Sequence, residues 1–325
     1  MNYLRLLENL RIDDKTQVGE KAAHLGELIH AGFDVPRGLC ITADAYRATL
    51  AENQIDSKIP ARLGATEIDD PVDLEAAAEE IRAWIENATM PTSLIAELVE
   101  QAAILPNVSY AVRVSRIVED VVNPRASGLE QAFLGVIGTD AVLEHVRKCW
   151  ATPWTSRAIY YRNRKKMDQK QVAIAVVVQP IVAAEAAGVM FTANPMTLAE
   201  GEIHIDATWG LGEAIIAARW KPDHFVIGQS AMEFRTREVV NKNVMEIAGN
   251  AGGIESLVVP SEKQDIACLS DDQVLALANL GQKIQAHFKQ PQDIEWCRVG
   301  DRIIVLQTRP LKSVGSYLQC LTDPN

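Results

Sequence analysis

The chain has 325 residues, 48% of them hydrophobic and 23% charged, with a formal net charge of −11. That length favours two lobes over a single core, the composition is that of a globular protein, and the negative balance argues against a nucleic-acid backbone as partner. Cys40, Cys149, Cys268, Cys297 and Cys320 are scattered, odd in number and without metal-ligand spacing, which fits reduced thiols in a cytoplasm. The opening Met1-Asn2-Tyr3-Leu4-Arg5 does not read as a signal peptide. The most apolar runs, 172–182 and 183–191, are too short and too interrupted to cross a bilayer.

In chain order, Val18-Gly19-Glu20-Lys21 precedes a helical pattern with apolar residues at Ala22, Leu25, Leu28 and Ile29, and Gly32 is placed to end it. A short strand at 39–42 and a helix at 44–50 follow. Residues 51–73, polar and carrying Pro60, Gly64 and Pro71, read as a loop or insertion. Two helices are predicted within 74–103, a strand at 108–114, then a loop holding Ser115, Glu119, Asp120, Asn123, Pro124, Ser127 and Gly128. Helices at 139–150 and 155–166 come next, the second ending in Arg162-Asn163-Arg164-Lys165-Lys166, which reads as a solvated helix end. Strands are predicted at 172–179, 188–192 and 203–207, the last running into Trp209-Gly210-Leu211-Gly212-Glu213. Residues 222–247 look β-rich, 249–265 loop-like and 271–288 helical. There is no internal repeat, and the irregular mixture of helices and strands indicates an α+β protein.

The end of the chain reads as a β-hairpin. Gln292-Asp293-Ile294-Glu295-Trp296 and Val305-Leu306-Gln307-Thr308-Arg309-Pro310 flank a turn at Gly300-Asp301. A three-residue loop, 300–302, would set Glu295 directly opposite Gln307, with Cβ atoms roughly 4.5–5.5 Å apart. Arg309 would share that face. A carboxylate and an amide oxygen facing one small volume suit Mg²⁺, which takes few protein oxygens and lets phosphates supply the rest.

Three further segments suit phosphate. Gly19-Glu20-Lys21 stands at a helix start, where backbone N–H groups and the dipole favour an anion. Arg113 lies in a buried strand, a costly place for a cation that meets no anion, and Ser127-Gly128 further on are small enough for backbone amides to approach a phosphate. The glycine-rich turn 209–213 lacks the third glycine of a dinucleotide fingerprint and is not read as one.

Together these motifs resemble the N-terminal nucleotide-binding domain of the phosphoenolpyruvate synthase and pyruvate phosphate dikinase family. The similarity runs in order from Val18 to Leu311: Gly19 through Glu27, Ala111-Val112-Arg113 to Phe133-Leu134, Gln179, Gly188 through Pro195, Trp209 through Glu213, and the closing hairpin. The resemblance implies a two-lobed ATP-grasp-type fold with nucleotide bound between the lobes, 1–200 forming the first and 201–325 the second. It implies that Lys21, Arg113 and Arg309 act catalytically on ATP phosphates and that Glu295 and Gln307 hold Mg²⁺. Gln179 would lie along the nucleotide, Gly128 over the phosphates, and Ala132 and Glu213 would also line the site.

This sequence departs from the family pattern at Val114 and Ala132, where family members carry hydroxyls, at Glu20 in place of a glycine, and at Arg116 in place of a small residue. In the family, the nucleotide domain passes a pyrophosphoryl group from ATP to a histidine on a swivelling domain, which phosphorylates a small acceptor bound elsewhere. None of His24, His30, His145, His204, His224 and His287 stands in the Thr-Ser-His type motif of that histidine, and His24 reads as a helix-surface residue. The expectation is therefore a separate subunit that works with a phosphohistidine-bearing partner, as in phenylphosphate synthase with phenol as acceptor. The alternative is a domain of phosphoenolpyruvate synthase or rifamycin phosphotransferase. Val114, Arg116 and Ala132 also admit a non-catalytic nucleotide-binding subunit.

Overall fold

The computed structural model describes residues 3–102, 109–117, 132–217 and 219–311. Contacts divide the chain into two compact units, Met1–Gly26 with Arg37–Ile181 and Glu27–Pro36 with Val182–Asn325. The sequence alone suggests one boundary after residue 200.

The first unit is built on an antiparallel sheet in the order β1-β2-β5-β3-β4. Its strands are β1 (Leu4–Leu6), β2 (Leu39–Ile41), β3 (Tyr110–Arg116), β4 (Ala132–Val136) and β5 (Ile174–Pro180). Its helices are α1 (Lys15–His30, whose last residues pass into the second unit), α2 (Ala43–Glu52), α3 (Ile55–Gly64), α4 (Pro71–Glu86), α5 (Thr92–Ala102), α6 (Thr139–Ala151) and α7 (Ser156–Arg164). One face of the sheet, with Ile41, Val112, Val114, Val176 and Val178, packs into a large core under the helices. Within that core Tyr46 meets Trp150 edge-on at 5.8 Å, and the Trp154 indole N–H donates to the Tyr46 hydroxyl at 3.0 Å. Burial pushes the Tyr46 phenol up to about 12. The opposite face meets α1: the Ser115 hydroxyl donates to Val18 O at 2.7 Å and accepts from the Ala22 N–H at 3.1 Å.

The second unit holds an antiparallel sheet in the order β13-β12-β6-β7-β8-β9 and a separate β10-β11 pair. The elements are β6 (Ala186–Phe191), β7 (Glu202–Trp209), α8 (Glu213–Ile216), β8 (Asp223–Gly228), β9 (Phe234–Glu238), β10 (Val244–Ala248), β11 (Ile254–Val258), α9 (Ser261–Gln264), α10 (Asp271–Phe288), β12 (Gln292–Val299) and β13 (Arg302–Pro310). A capping box starts α10: Gln273 N–H donates to the Ser270 hydroxyl, and Ser270 N–H to the Gln273 side chain. The helix then packs on β7, β8 and β12. A buried ion pair, Lys242 Nζ to Asp223 Oδ1 at 2.5 Å, pins the β9–β10 connection to β8.

Several local expectations are corrected. Residues 55–64 form a helix in spite of Pro60, because Ile55, Ile59 and Leu63 follow a four-residue spacing and reach the core. β4 replaces what reads as the tail of a loop. Residues 254–258 and 261–264 are strand and helix, not loop; β11 is largely exposed and among the described residues pairs with β10 alone, so burial writes little pattern into its sequence. His24 is buried, at 2% exposure, with Nδ1 against Glu20 O at 2.8 Å. Arg162 is buried as well. Among the described residues no helix is long and apolar enough to cross a membrane. The described cysteines, Cys40, Cys149, Cys268 and Cys297, are buried.

Candidate functional site

Each unit gathers its own set of the expected residues. In the first, the local driver is Gly19. Its φ of +75° and ψ of 169° break α1 into two pieces, so that Glu20 and Lys21 open the second. A Cβ at position 19 would collide with the backbone and hydroxyl of Ser115, so only glycine lets the turn approach β3 this closely. The Ser115 hydroxyl clamps both sides of the break, through Val18 and Ala22, and this fixes where Lys21 leaves the helix. The charge of Lys21 is felt at the buried Cys149 thiol, which burial pushes up and Lys21 partly offsets.

Arg113 is on the same sheet face as Ser115, two residues away. Its cross-strand neighbours are Ala132 on β4 and Val177 on β5. Gln179, buried beside Gly38, continues that face along β5. Lys21, Arg113, Ala132 and Gln179 are thus tied to one side of one sheet. Gly128, Glu119 and Asp120 lie outside the described residues.

In the second unit the hairpin pairs Glu295 with Gln307, as expected, but by a different route. The loop has two residues, Gly300 and Asp301, with Val299 paired to Arg302. Gly300 takes φ +57° at the first central position, where a two-residue hairpin turn favours glycine. A bulge then shifts the register between Glu295 and Trp296, with Trp296 opposite Val305, so Leu306 is the extra residue. The extra residue in the strand replaces the extra residue expected in the loop. The turn is held at its base: Gly300 N–H donates to Glu185 Oε1 at 3.1 Å, and Arg298 reaches Glu185 Oε2 at 2.9 Å.

Gln307 is buried, and its Oε1 accepts no hydrogen bond among the described residues. An orphaned buried carbonyl oxygen directly across from a carboxylate fits a hard cation. Among the described residues no group of three or more His, Cys, Asp or Glu is arranged for a metal. Arg309 is braced by its cross-strand neighbour Asp293: Nε and Nη2 reach Oδ2 at 2.9 and 2.8 Å. On the reverse face the Thr308 hydroxyl donates to Gln292 Oε1 at 2.8 Å, and Gln292 N–H donates to the Thr192 hydroxyl at 2.8 Å. Glu213 opens α8, which contacts β6 and β7, and β6 in turn pairs with β12 of the hairpin.

Sequence reasoning gave no role to Asp293, nor to a row that continues the Gln307–Glu295 pair across the sheet. The register runs Gln307, Glu295, Val189, Asp206, His224, Glu238. His224 Nδ1 lies 2.7 Å from Asp206 Oδ1, which raises the histidine above its ordinary value. Beside it, hydrogen bonds from Asn194 and His204 hold the Glu202 carboxyl below its ordinary value. The signal was present: Glu202, His204, Asp206 and Thr208 alternate with Ile203, Ile205 and Ala207.

The family model described as "pyruvate phosphate dikinase, AMP/ATP-binding domain" matches residues 15–318. The chain is 34% identical over 320 residues to a probable phosphoenolpyruvate synthase of Methanocaldococcus jannaschii, covering 97% of this chain and 27% of that protein. It is 31% identical over 358 residues to the phosphoenolpyruvate synthase of Pyrococcus furiosus, covering 96% and 44%. It is 33% identical over 306 residues to the rifampicin phosphotransferase of Bacillus subtilis, covering 93% and 35%. The chain spans less than half the length of each of these relatives.

Proposed function

This chain belongs to the pyruvate phosphate dikinase AMP/ATP-binding domain family, and from that premise we propose that it is the ATP-using part of a dikinase-type phosphotransferase with an ATP-grasp-type fold. The observation that carries the reading is the closing hairpin. It holds a carboxylate opposite an unclaimed amide oxygen, with a braced guanidinium two residues further on.

In this reading Lys21, Arg113 and Arg309 bind the phosphates of ATP and neutralise charge that develops as the β–γ pyrophosphoryl group leaves AMP. Gln179 and Glu213 orient the nucleotide, Ala132 lines the site and Gly128 lies over the phosphates. Glu295 and Gln307 hold Mg²⁺, which would supply further charge neutralisation. The acceptor is a histidine nitrogen on a partner domain, in the same or another polypeptide. That nitrogen forms the new N–P bond as the α–β bridging bond breaks. Phosphate is then lost to water, and the remaining phosphoryl group passes to a small acceptor bound outside this region. Phenol is the acceptor that a resemblance to phenylphosphate synthase implies; the names of the matched relatives support a phosphoenolpyruvate-synthase-like or rifampicin-phosphotransferase-like acceptor instead. The work is cytoplasmic, in keeping with cysteines that are scattered along the chain.

Calorimetric titration of Mg-ATP into the chain, beside Arg309→Ala, tests the reading. Wild-type binding that weakens by ten- to a hundredfold in the variant, as expected on losing a charge-assisted phosphate contact worth about 1.5–3 kcal/mol, supports it. Equal binding by both proteins would remove Arg309 from the site. ATP binding without AMP formation, even with a phosphohistidine domain supplied, would favour the non-catalytic reading suggested by Val114, Arg116 and Ala132.

A further inference from the structure

A cavity of about 380 Å³ opens in the first unit, where the ends of β3 and β5 meet α7 and the segment that follows it. Its lining includes three cations, Arg116, Arg162 and Lys166, one carboxylate, Asp168, and the apolar Val172 and Ile174. It is separate from the Lys21–Arg113–Gln179 set. Arg116 stands three residues after Arg113 on one strand, so the two side chains leave opposite faces of the sheet. The cross-strand partner of Arg116 is Ile174, a member of the core under the helices. The sheet itself therefore lies between this cavity and the residues assigned to ATP.

The cavity has a built interior. Arg162 is 2% exposed, and its guanidinium lies 5.2 Å from the centre of the Trp154 ring. Its Nε donates to Gln169 Oε1 at 2.6 Å and its Nη2 to Pro153 O at 2.7 Å. Those contacts fix the plane of the guanidinium before any ligand arrives. Asp168 is engaged locally, its Oδ1 accepting the Lys170 N–H at 2.9 Å. A buried guanidinium held in place, a second arginine and a lysine at an exposed position set three cations against one carboxylate around the cavity, a charge balance suited to a phosphate or carboxylate group. The volume is in the range of small-molecule sites, and Val172 and Ile174 offer an apolar wall for the rest of the ligand.

We propose that this cavity is a second ligand site, which binds a small molecule through a phosphate or carboxylate group independently of ATP. The test is a calorimetric titration of inorganic phosphate into the full chain, into Lys166→Glu and into Arg309→Ala. Lys166 is exposed, so the charge reversal should leave the circular dichroism spectrum unchanged; Arg116→Gln is the second variant. The expected result is phosphate binding that weakens tenfold or more in Lys166→Glu and in Arg116→Gln but persists in Arg309→Ala. Citrate and glycerol 3-phosphate, each titrated as a competitor, distinguish the sources: the one that displaces phosphate at the lower concentration identifies the ligand class, a carboxylate or a phosphate ester. The proposal is overturned by wild-type affinity in both cavity variants, by loss of phosphate binding in Arg309→Ala alone, or by no binding to the wild-type chain.

Discussion

The two faces of the six-stranded sheet in the second unit are made by the same strands and do opposite things. One face carries Ile203, Ile205, Phe225, Ile227, Ile294 and Trp296, fully buried on the side covered by α10. The other carries the Gln307–Glu295–Val189–Asp206–His224–Glu238 row and the Arg309–Asp293 pair. Strand parity alone decides which side a residue serves. Stability is thereby concentrated on one face, and the other can hold charged, partly unsatisfied groups. Gln307 Oε1, buried without a hydrogen bond among the described residues, is a small cost that the apolar face absorbs.

Substitutions on the two faces should therefore separate stability from binding. The largest effect belongs to Phe225→Ala, which removes a fully buried ring and should cost about 3–5 kcal/mol in urea unfolding. Mg-ATP affinity should be unchanged under conditions where the variant stays folded. A loss of affinity with little loss of stability would break the comparison. On the polar face, Asp293→Asn removes the brace of Arg309 and leaves its charge. Mg-ATP affinity should fall about tenfold, or about 1.4 kcal/mol, less than in Arg309→Ala, with the unfolding midpoint nearly unmoved. A loss as large as that of Arg309→Ala would give Asp293 a direct part in binding.

How far this was legible in sequence differs from element to element. The strands β7, β12 and β13 show two-residue alternation, and the pairing of Glu295 with Gln307 followed from it. The bulge at Leu306 did not, because an extra residue in a strand and an extra residue in a loop produce the same register. Helix α3 was hidden by Pro60, whose local penalty was outweighed by core contacts. The assignment of residues 27–36 to the second unit rests on contacts remote in sequence, Val305 N–H to Asp34 O at 2.8 Å and Arg302 to Asp34 at 2.8 Å. No window of sequence contains them. The burial of Arg162 was missed for a related reason: a basic cluster at a helix end reads as solvated until Pro153, Trp154 and Gln169 are seen around it.

The smallest expected effect is also the most specific to the polar face. His224 is hydrogen-bonded to Asp206, with Glu238 also favouring its charged form and desolvation and Lys221 opposing it. Its folded value therefore lies above the ordinary 6.5. A histidine raised in this way binds its proton more tightly folded than unfolded. Its contribution to stability is fully present below the unfolded value and is lost as pH rises through the folded one. The stability difference between wild type and His224→Gln should thus be greatest near about pH 5.5–6 and shrink above the folded value. Because the pair is only half-buried, the difference should stay below about 1 kcal/mol. Urea midpoints of both proteins across that range measure it. A difference that grew with pH would mean that the neutral imidazole is the form held against Asp206, and that the row across this face carries less positive charge than its geometry indicates.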